Sequence, residues 1–78
     1  MKNSLEEYKA KIAINARALR SRAGISQEEL AARAGIDRTY ASQIERGIAN
    51  PSLEVLVCLA EALEVGLHEL LCKEPRTG

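Results

Sequence analysis

Gly35 splits the stretch from Gln27 to Arg46 into two helices too short to be stable alone, and no other feature constrains the chain as much. Ser26 followed three residues later by Glu29 has the form of a capping box: the hydroxyl accepts from the Glu29 backbone while the carboxylate reaches back to the cap. A helix therefore begins at Gln27 and runs to Arg33 or Ala34. Gly35 ends it after barely two turns by offering a left-handed backbone at low cost, and Asp37 then caps a helix running to about Arg46. Such a pair must be held by packing.

The flanking segments supply that packing. Ser4 and Glu7 form a second capping box, and Leu5, Tyr8, Ile12, Ala16, Leu19 and Ala23 recur at spacings of three or four, which predicts a helix from about Leu5 to Arg22. Gly24 stops it, with Ile25 packing back onto the core. Gly47 to Pro51 is a breaker-rich loop. Ser52 caps a fourth helix through about Leu63 with an apolar stripe of Leu53, Leu56, Leu59, Ala60 and Leu63, and a last short helix covers about Leu67 to Cys72. Residues 5–72 thus read as the core of one domain spanning 1–78, with residues 73–78 a frayed tail. The chain is rich in Ala, Leu, Glu and Arg and nearly without aromatics, so the fold class is all-α.

A chain near this length buries only about 60% of the surface it exposes when unfolded, so close helix packing and a second copy of itself are the expected supports. No apolar run approaches the roughly 20 residues that cross a bilayer, and Met1 to Lys11 has no signal-like apolar segment; a cytoplasmic protein with no membrane partner is expected. Cys58 and Cys72 lack a second pair or a local His cluster, which makes buried free thiols the default; a redox sensor or an intermolecular disulfide through Cys72 is the other reading. His68 has no neighbour at metal-ligand spacing and reads as a surface or dimer-edge residue. No metal and no cofactor is expected.

The net charge is zero but segregated. Residues 1–35 carry seven Lys/Arg against four Glu, and residues 48–78 carry two against five. A phosphate-binding face needs local rather than overall positive potential, so one half suits nucleic acid while the other is turned away; solvated helix faces on both sides would look the same.

Within Gln27 to Arg46, the residues Leu30, Ala31, Ala34, Ile36, Ala41 and Ile44 fall where two helices crossing near a right angle face each other, a helix-turn-helix pattern. Subtracting that face leaves Arg38, Thr39, Ser42, Gln43 and Arg46 outward. Arg pairs with guanine O6 and N7, Gln with adenine N6 and N7, and a Thr methyl touches thymine, whereas an ordinary solvated face more often carries Glu/Lys pairs. One His, no Gly-rich phosphate loop and no nucleophile with its base argue against an enzyme, and no catalytic residue is assigned.

The run Arg20-Ser21-Arg22-Ala23-Gly24-Ile25-Ser26-Gln27-Glu28-Glu29-Leu30-Ala31, continuing through Ala34-Gly35-Ile36 to Ile44-Glu45-Arg46-Gly47 and Asn50-Pro51-Ser52, resembles the Xre/Cro/cI helix-turn-helix family. Asp37-Arg38-Thr39-Tyr40, Ser42 and Ile44-Glu45-Arg46-Gly47 resemble, more narrowly, the controller proteins of restriction-modification systems, with phage-type repressors close competitors. The resemblance implies a five-helix domain of lambda-repressor-like type that binds double-stranded DNA as a homodimer and regulates transcription. It implies base reading by Arg38, Thr39, Ser42 and Gln43, phosphate contacts by Ser26, Gln27, Tyr40, Arg46 and Asn50, with Thr39 and Tyr40 interchangeable, and a structural salt bridge between Arg20 and Glu45. For Gln27 the physics agrees, because a helix N-terminus presents free N–H groups to phosphate; simple capping is the alternative. Arg17 and Arg22 either reach the DNA backbone or are solvated. Ala16 and Ala41 stand where the family commonly has larger aliphatics, which implies a thinner core or a different packing angle.

Val55, Val65, Leu67, Leu70 and Leu71 leave more apolar surface than so small a domain covers. A two-fold dimer through Val65, Leu67, Leu70 and Leu71 would set two recognition helices about 34 Å apart, matching a palindromic operator; closure of the monomer core by these residues is the alternative. Glu28 and Glu29 either contact RNA polymerase or answer the helix dipole. The competing function is a protein-interaction module of the same fold, such as an antitoxin.

Overall fold

Four of the five helices in the computed structural model, which describes residues 4–72, begin at a side chain that accepts a hydrogen bond from the first turn. The elements are α1 (Leu5–Ala23), α2 (Gln27–Ala34), α3 (Arg38–Glu45), α4 (Leu53–Leu63) and α5 (His68–Leu71), with no strand among the described residues. Ser4, Ser26, Asp37 and Ser52 accept from the backbone of Glu7, Glu29, Thr39 and Val55, satisfying donors that a helix start leaves open. Ser4 and Glu7 complete a reciprocal box. The one expected at Ser26 is half formed, because the Glu29 carboxylate pairs at 2.7 Å with Arg33 one turn along instead of reaching back.

Gly24 and Gly35 end α1 and α2 with φ near +75°, the left-handed conformation that closes a helix end. The same conformation after α4 is held by Glu64, at φ 61°, where a side chain is strained. Element bounds agree with the sequence reading to within a residue: α1 gains Ala23, Arg46 is the cap of α3 rather than its last turn, and α5 is shorter at each end.

Packing is organised around α1 and α2. α2 lies against α3 and α4, while α1 lies against α3 and α5. Ile12, Ala16, Leu19, Leu30, Ala34, Ile44, Leu56, Leu59, Ala60, Leu63 and Leu70 form the core. Each large aliphatic among them contributes about 1.5–3 kcal/mol by leaving water. Ala16 and Ala41 are fully buried, so their small side chains sit within the packed interior.

Several expected core or surface positions are placed differently. Leu5, Tyr8 and Ala23 are exposed, because α1 projects past the elements that cover its middle; Tyr8 instead lies under the Lys11 ammonium, 5.0 Å from its ring centre. Leu53, at 65% exposure, lies in the first turn of α4, outside the packed stripe. Leu70, expected at a dimer interface, is 0% exposed and fills the monomer core. Its side chain offers no surface to a partner, whereas Val65, Leu67 and Leu71 are half-buried. Cys58 is half-buried and Cys72 exposed, both as free thiols, so the default of two buried thiols fails at Cys72, which lies beyond the last turn of α5. The tail at 73–78 lies outside the described residues. Among those described, no helix is long and apolar enough to cross a membrane, and no group of three His, Cys, Asp or Glu could hold a metal.

Candidate nucleic-acid interface

The outward face of α3 is built by subtraction. Ala41, Ile44 and Glu45 are buried and Tyr40 is half-buried against the core, which fixes the helix rotation. Arg38, Thr39, Ser42, Gln43 and Arg46, at helical spacings of one face, are then turned away from the interior. Arg38, Thr39 and Arg46 are exposed, and Ser42 and Gln43 half-exposed. Among the described residues, the side chains of Arg38, Ser42, Gln43 and Arg46 make no hydrogen bond or ion pair within the chain, so their donors face outward uncommitted. Asp37, at the N-cap, is occupied with the Thr39 N–H at 2.9 Å.

Beneath this face lies a polar junction. The Glu45 side chain is 2% exposed, a burial that a carboxylate tolerates only when paired and hydrogen-bonded. Arg20 of α1 meets it with two parallel hydrogen bonds, Nε to Oε2 at 2.7 Å and Nη2 to Oε1 at 3.0 Å, and its Nη1 donates to the Ile25 carbonyl at 3.0 Å. Arg17, also of α1, donates to the Glu45 carbonyl at 3.1 Å and so answers the negative end of a helix that has no basic residue in its own last turn. The hydrogen bond to Glu45, offset by burial and reinforced by the carboxylate's charge, holds the Arg20 guanidinium above its ordinary pKa. The structural pair named from the resemblance is thus present, with a geometry that links α1, the α1–α2 turn and α3.

Of the residues expected at phosphates, Ser26 and Asn50 are exposed, Arg46 is exposed at the end of α3, and Tyr40 is half-buried. The Gln27 side-chain amide donates one hydrogen bond, to Glu45 Oε1 at 3.0 Å. That bond puts the N-terminus of α2 beside the last turn of α3. Arg22 is exposed, and Glu28 and Glu29 are exposed with Glu29 committed to Arg33.

Two residues carry geometry that the sequence reading did not assign. The sequence offers Arg17 only as a DNA contact or a solvated side chain, yet it caps α3. Asn15 is 0% exposed, and its Nδ2 donates to the Leu70 carbonyl at 2.9 Å and the Cys72 carbonyl at 2.7 Å, tying α5 to α1. Its position three after Ile12 and four before Leu19, on the apolar stripe, was the available signal.

Residues 17–70 match the helix-turn-helix family. The chain is 42% identical over 66 residues to a hypothetical transcription factor of Neisseria meningitidis, covering 85% of this chain and 62% of that protein's length. It is 37% identical over 68 residues to the control protein C.SmaI of Serratia marcescens, covering 87% and 81% respectively. Among solved structures, the restriction-modification controller protein C.AhdI from Aeromonas hydrophila superposes with a TM-score of 0.78 at 42% identity, covering 80% of this chain and 94% of that one.

Proposed function

Because the chain belongs to the helix-turn-helix family, we propose that it is a sequence-specific DNA-binding regulator of transcription, acting as a homodimer on a palindromic operator. The controller proteins among its relatives favour a role of the same kind, regulating a restriction-modification system. The family is one of DNA-binding regulators rather than of enzymes, and neither catalysis nor a cofactor has a place in this reading.

The uncommitted polar face of α3 is the observation that supports the reading. A helix of this width enters the major groove, where Arg38, Thr39, Ser42 and Gln43 meet base edges. Ser26, Tyr40, Arg46, Asn50 and the open N–H groups at the start of α2 hold phosphates on either side, fixing register without reading sequence. Binding weakens steeply with salt as counterions are released. Val65, Leu67 and Leu71 form the self-association surface near α5, and pairing two copies places the two α3 helices about one duplex turn, roughly 34 Å, apart. The protein works in the cytoplasm, and exposed Glu28 is available for a polymerase contact.

Selection of bound sequences from a random duplex pool tests this reading. A palindromic consensus is expected, relaxed at one position per half-site by Arg38→Ala and reduced to independent half-sites by Leu71→Asp. Failure of the unaltered protein to enrich any sequence at moderate salt overturns it and favours a protein-interaction module.

A further inference from the structure

We infer that the chain carries both halves of a contact with a second copy of itself: Ile14, on the outer side of α1, docks into the groove between α2 and α4 of a neighbouring molecule. The contact uses neither α3 nor α5. It is therefore separate from base reading and from the proposed pairing surface at Val65, Leu67 and Leu71.

α1 meets α3, α4 and α5 on one side and leaves its other side open. Lys11, Ile14, Ala18 and Arg22 share that open side at helical spacings of three and four. Ile14 is 49% exposed, and Ala10 and Ala18, one turn to either side, are too small to shield it. It stands out from its helix as an aliphatic side chain between cations. Lys11 lies over the Tyr8 ring, and Arg22 has no ion pair among the described residues.

The groove has the complementary make-up. It encloses about 570 Å³ and is lined by Arg33 and Ala34 of α2 and by Cys58, Glu61, Ala62 and Glu64 at the C-terminal end of α4. Ala34 is buried and Cys58 and Ala62 half-buried, which makes a base of small side chains; Glu61 and Glu64 are exposed at the edge. Arg33 is held by Glu29 at 2.7 Å and does not neutralise them, and neither carboxylate has an ion pair among the described residues. Charge alone would admit any basic peptide. The apolar base selects one with an aliphatic residue beside its cations, which α1 presents. The positive balance of residues 1–35 and the negative balance of residues 48–78 are the same complementarity at the scale of the chain.

Ile14 points away from the helices of its own chain, so the contact joins different molecules. Its two surfaces differ, so association does not stop at a pair: each addition leaves a free groove and a free Ile14, and assembly grows into a ring or an open chain. A contact this small is weak, and it acts at high concentration or where copies are held close together.

Sedimentation of the full chain from micromolar to millimolar concentration tests the inference. The average mass is expected to rise past that of a dimer, and less so in added salt. Ile14→Gln and Glu61→Lys lie on exposed helix faces, and circular dichroism checks that each folds. Each should weaken growth by about tenfold or more. An equimolar mixture of the two should regain it, because an intact Ile14 on one variant meets an intact groove on the other; an unfolded variant could not do this. A mass that stays at a dimer or below over the whole range overturns the inference, as does growth that both variants leave unchanged or a mixture no better than its parts. Leu71→Asp should shrink the building unit without abolishing growth. Growth lost in Leu71→Asp but kept in Ile14→Gln assigns the association to the α5 surface and overturns the inference. Cys58, inside the groove, gives an independent reading: at millimolar concentration a maleimide should label it more slowly in the unaltered protein than in Ile14→Gln, and equal rates overturn the inference.

Discussion

Asn15→Asp should be among the most damaging single-atom-scale changes available in this chain, and its cost can be worked from the structure. The Asn15 side chain is fully buried on α1 and gives both Nδ2 hydrogens to carbonyls at the end of α5, 2.9 Å to Leu70 and 2.7 Å to Cys72. α5 has four residues and no side-chain cap, so it cannot hold itself. Leu70 in the core and these two bonds fasten it.

Each bond to a neutral carbonyl contributes about 1 kcal/mol net. Asn15→Ala removes both, roughly 2 kcal/mol, and strands the Leu70 carbonyl; it also removes Asn15 Oδ1, which is buried with no hydrogen-bond partner and whose loss returns about 1 kcal/mol. The net cost is about 1–2 kcal/mol. Asn15→Asp is worse, because a carboxylate oxygen then faces two carbonyl oxygens in a buried site, costing about 3–5 kcal/mol at neutral pH. Asn15→Leu removes the orphaned oxygen and adds apolar contact, so it falls nearest to the unaltered protein. Urea denaturation followed by circular dichroism reads the order, Asp least stable, then Ala, then Leu, with Asn15→Ala lowering the thermal midpoint by roughly 5–15 °C for a domain of this size. Hydrogen exchange at Leu70 and Cys72 should accelerate in all three. An Asn15→Asp protein as stable as the unaltered one would refute the donor role.

Glu64→Gly should stabilise the protein by up to about 1 kcal/mol, since it relieves a left-handed side-chain residue at φ 61° that ends α4; an unchanged or lower urea midpoint would count against strain there. Under native conditions a maleimide should modify the exposed Cys72 well before the half-buried Cys58, read by mass spectrometry of the partly labelled protein; equal rates would contradict the packing of α4 against α2. The Arg20 guanidinium binds its proton more tightly folded than unfolded, so its contribution is complete below the ordinary arginine range and is lost only as pH rises through the still higher folded value. The stability difference between the unaltered protein and Arg20→Met should therefore be the same at about pH 7 and about pH 9, and a difference that shrinks by pH 9 would refute the assigned direction.

What was legible in the sequence was chiefly local. Ser26, Gly35, Asp37 and Ser52 each act within one turn of themselves, so the start and stop of α2, α3 and α4 could be read without knowing what they pack against. The outward row on α3 was legible for the same reason, as what remains after a short apolar face is removed. Side-chain destinations across the fold were not. Periodicity placed Leu5 and Tyr8 on the same stripe as Ile12, but it carries no information on where the covering helices end. Leu70 and Leu71 were indistinguishable as neighbours in an apolar run, and only the position of α1 decides that Leu70 turns inward. Glu29 had two equally local partners, the Ser26 backbone and Arg33, and a capping rule names only one of them.

The long-range polar contacts share a logic that appears only in three dimensions. Asn15, Arg17 and Arg20 lie within two turns of α1 and serve different helices: Asn15 holds α5, while Arg17 and Arg20 hold α3. Each gives its donors to groups that would otherwise be costly to bury or leave open, namely the carbonyls ending α5, the carbonyl of Glu45 at the end of α3, and the Glu45 carboxylate. Apolar contact along Ile12, Ala16 and Leu19 brings the helices together but tolerates sliding, since it has no direction. The polar donors have direction and so fix position. α1 is thereby the rigid reference against which both α3, the proposed base reader, and α5, beside the proposed self-association surface, are set.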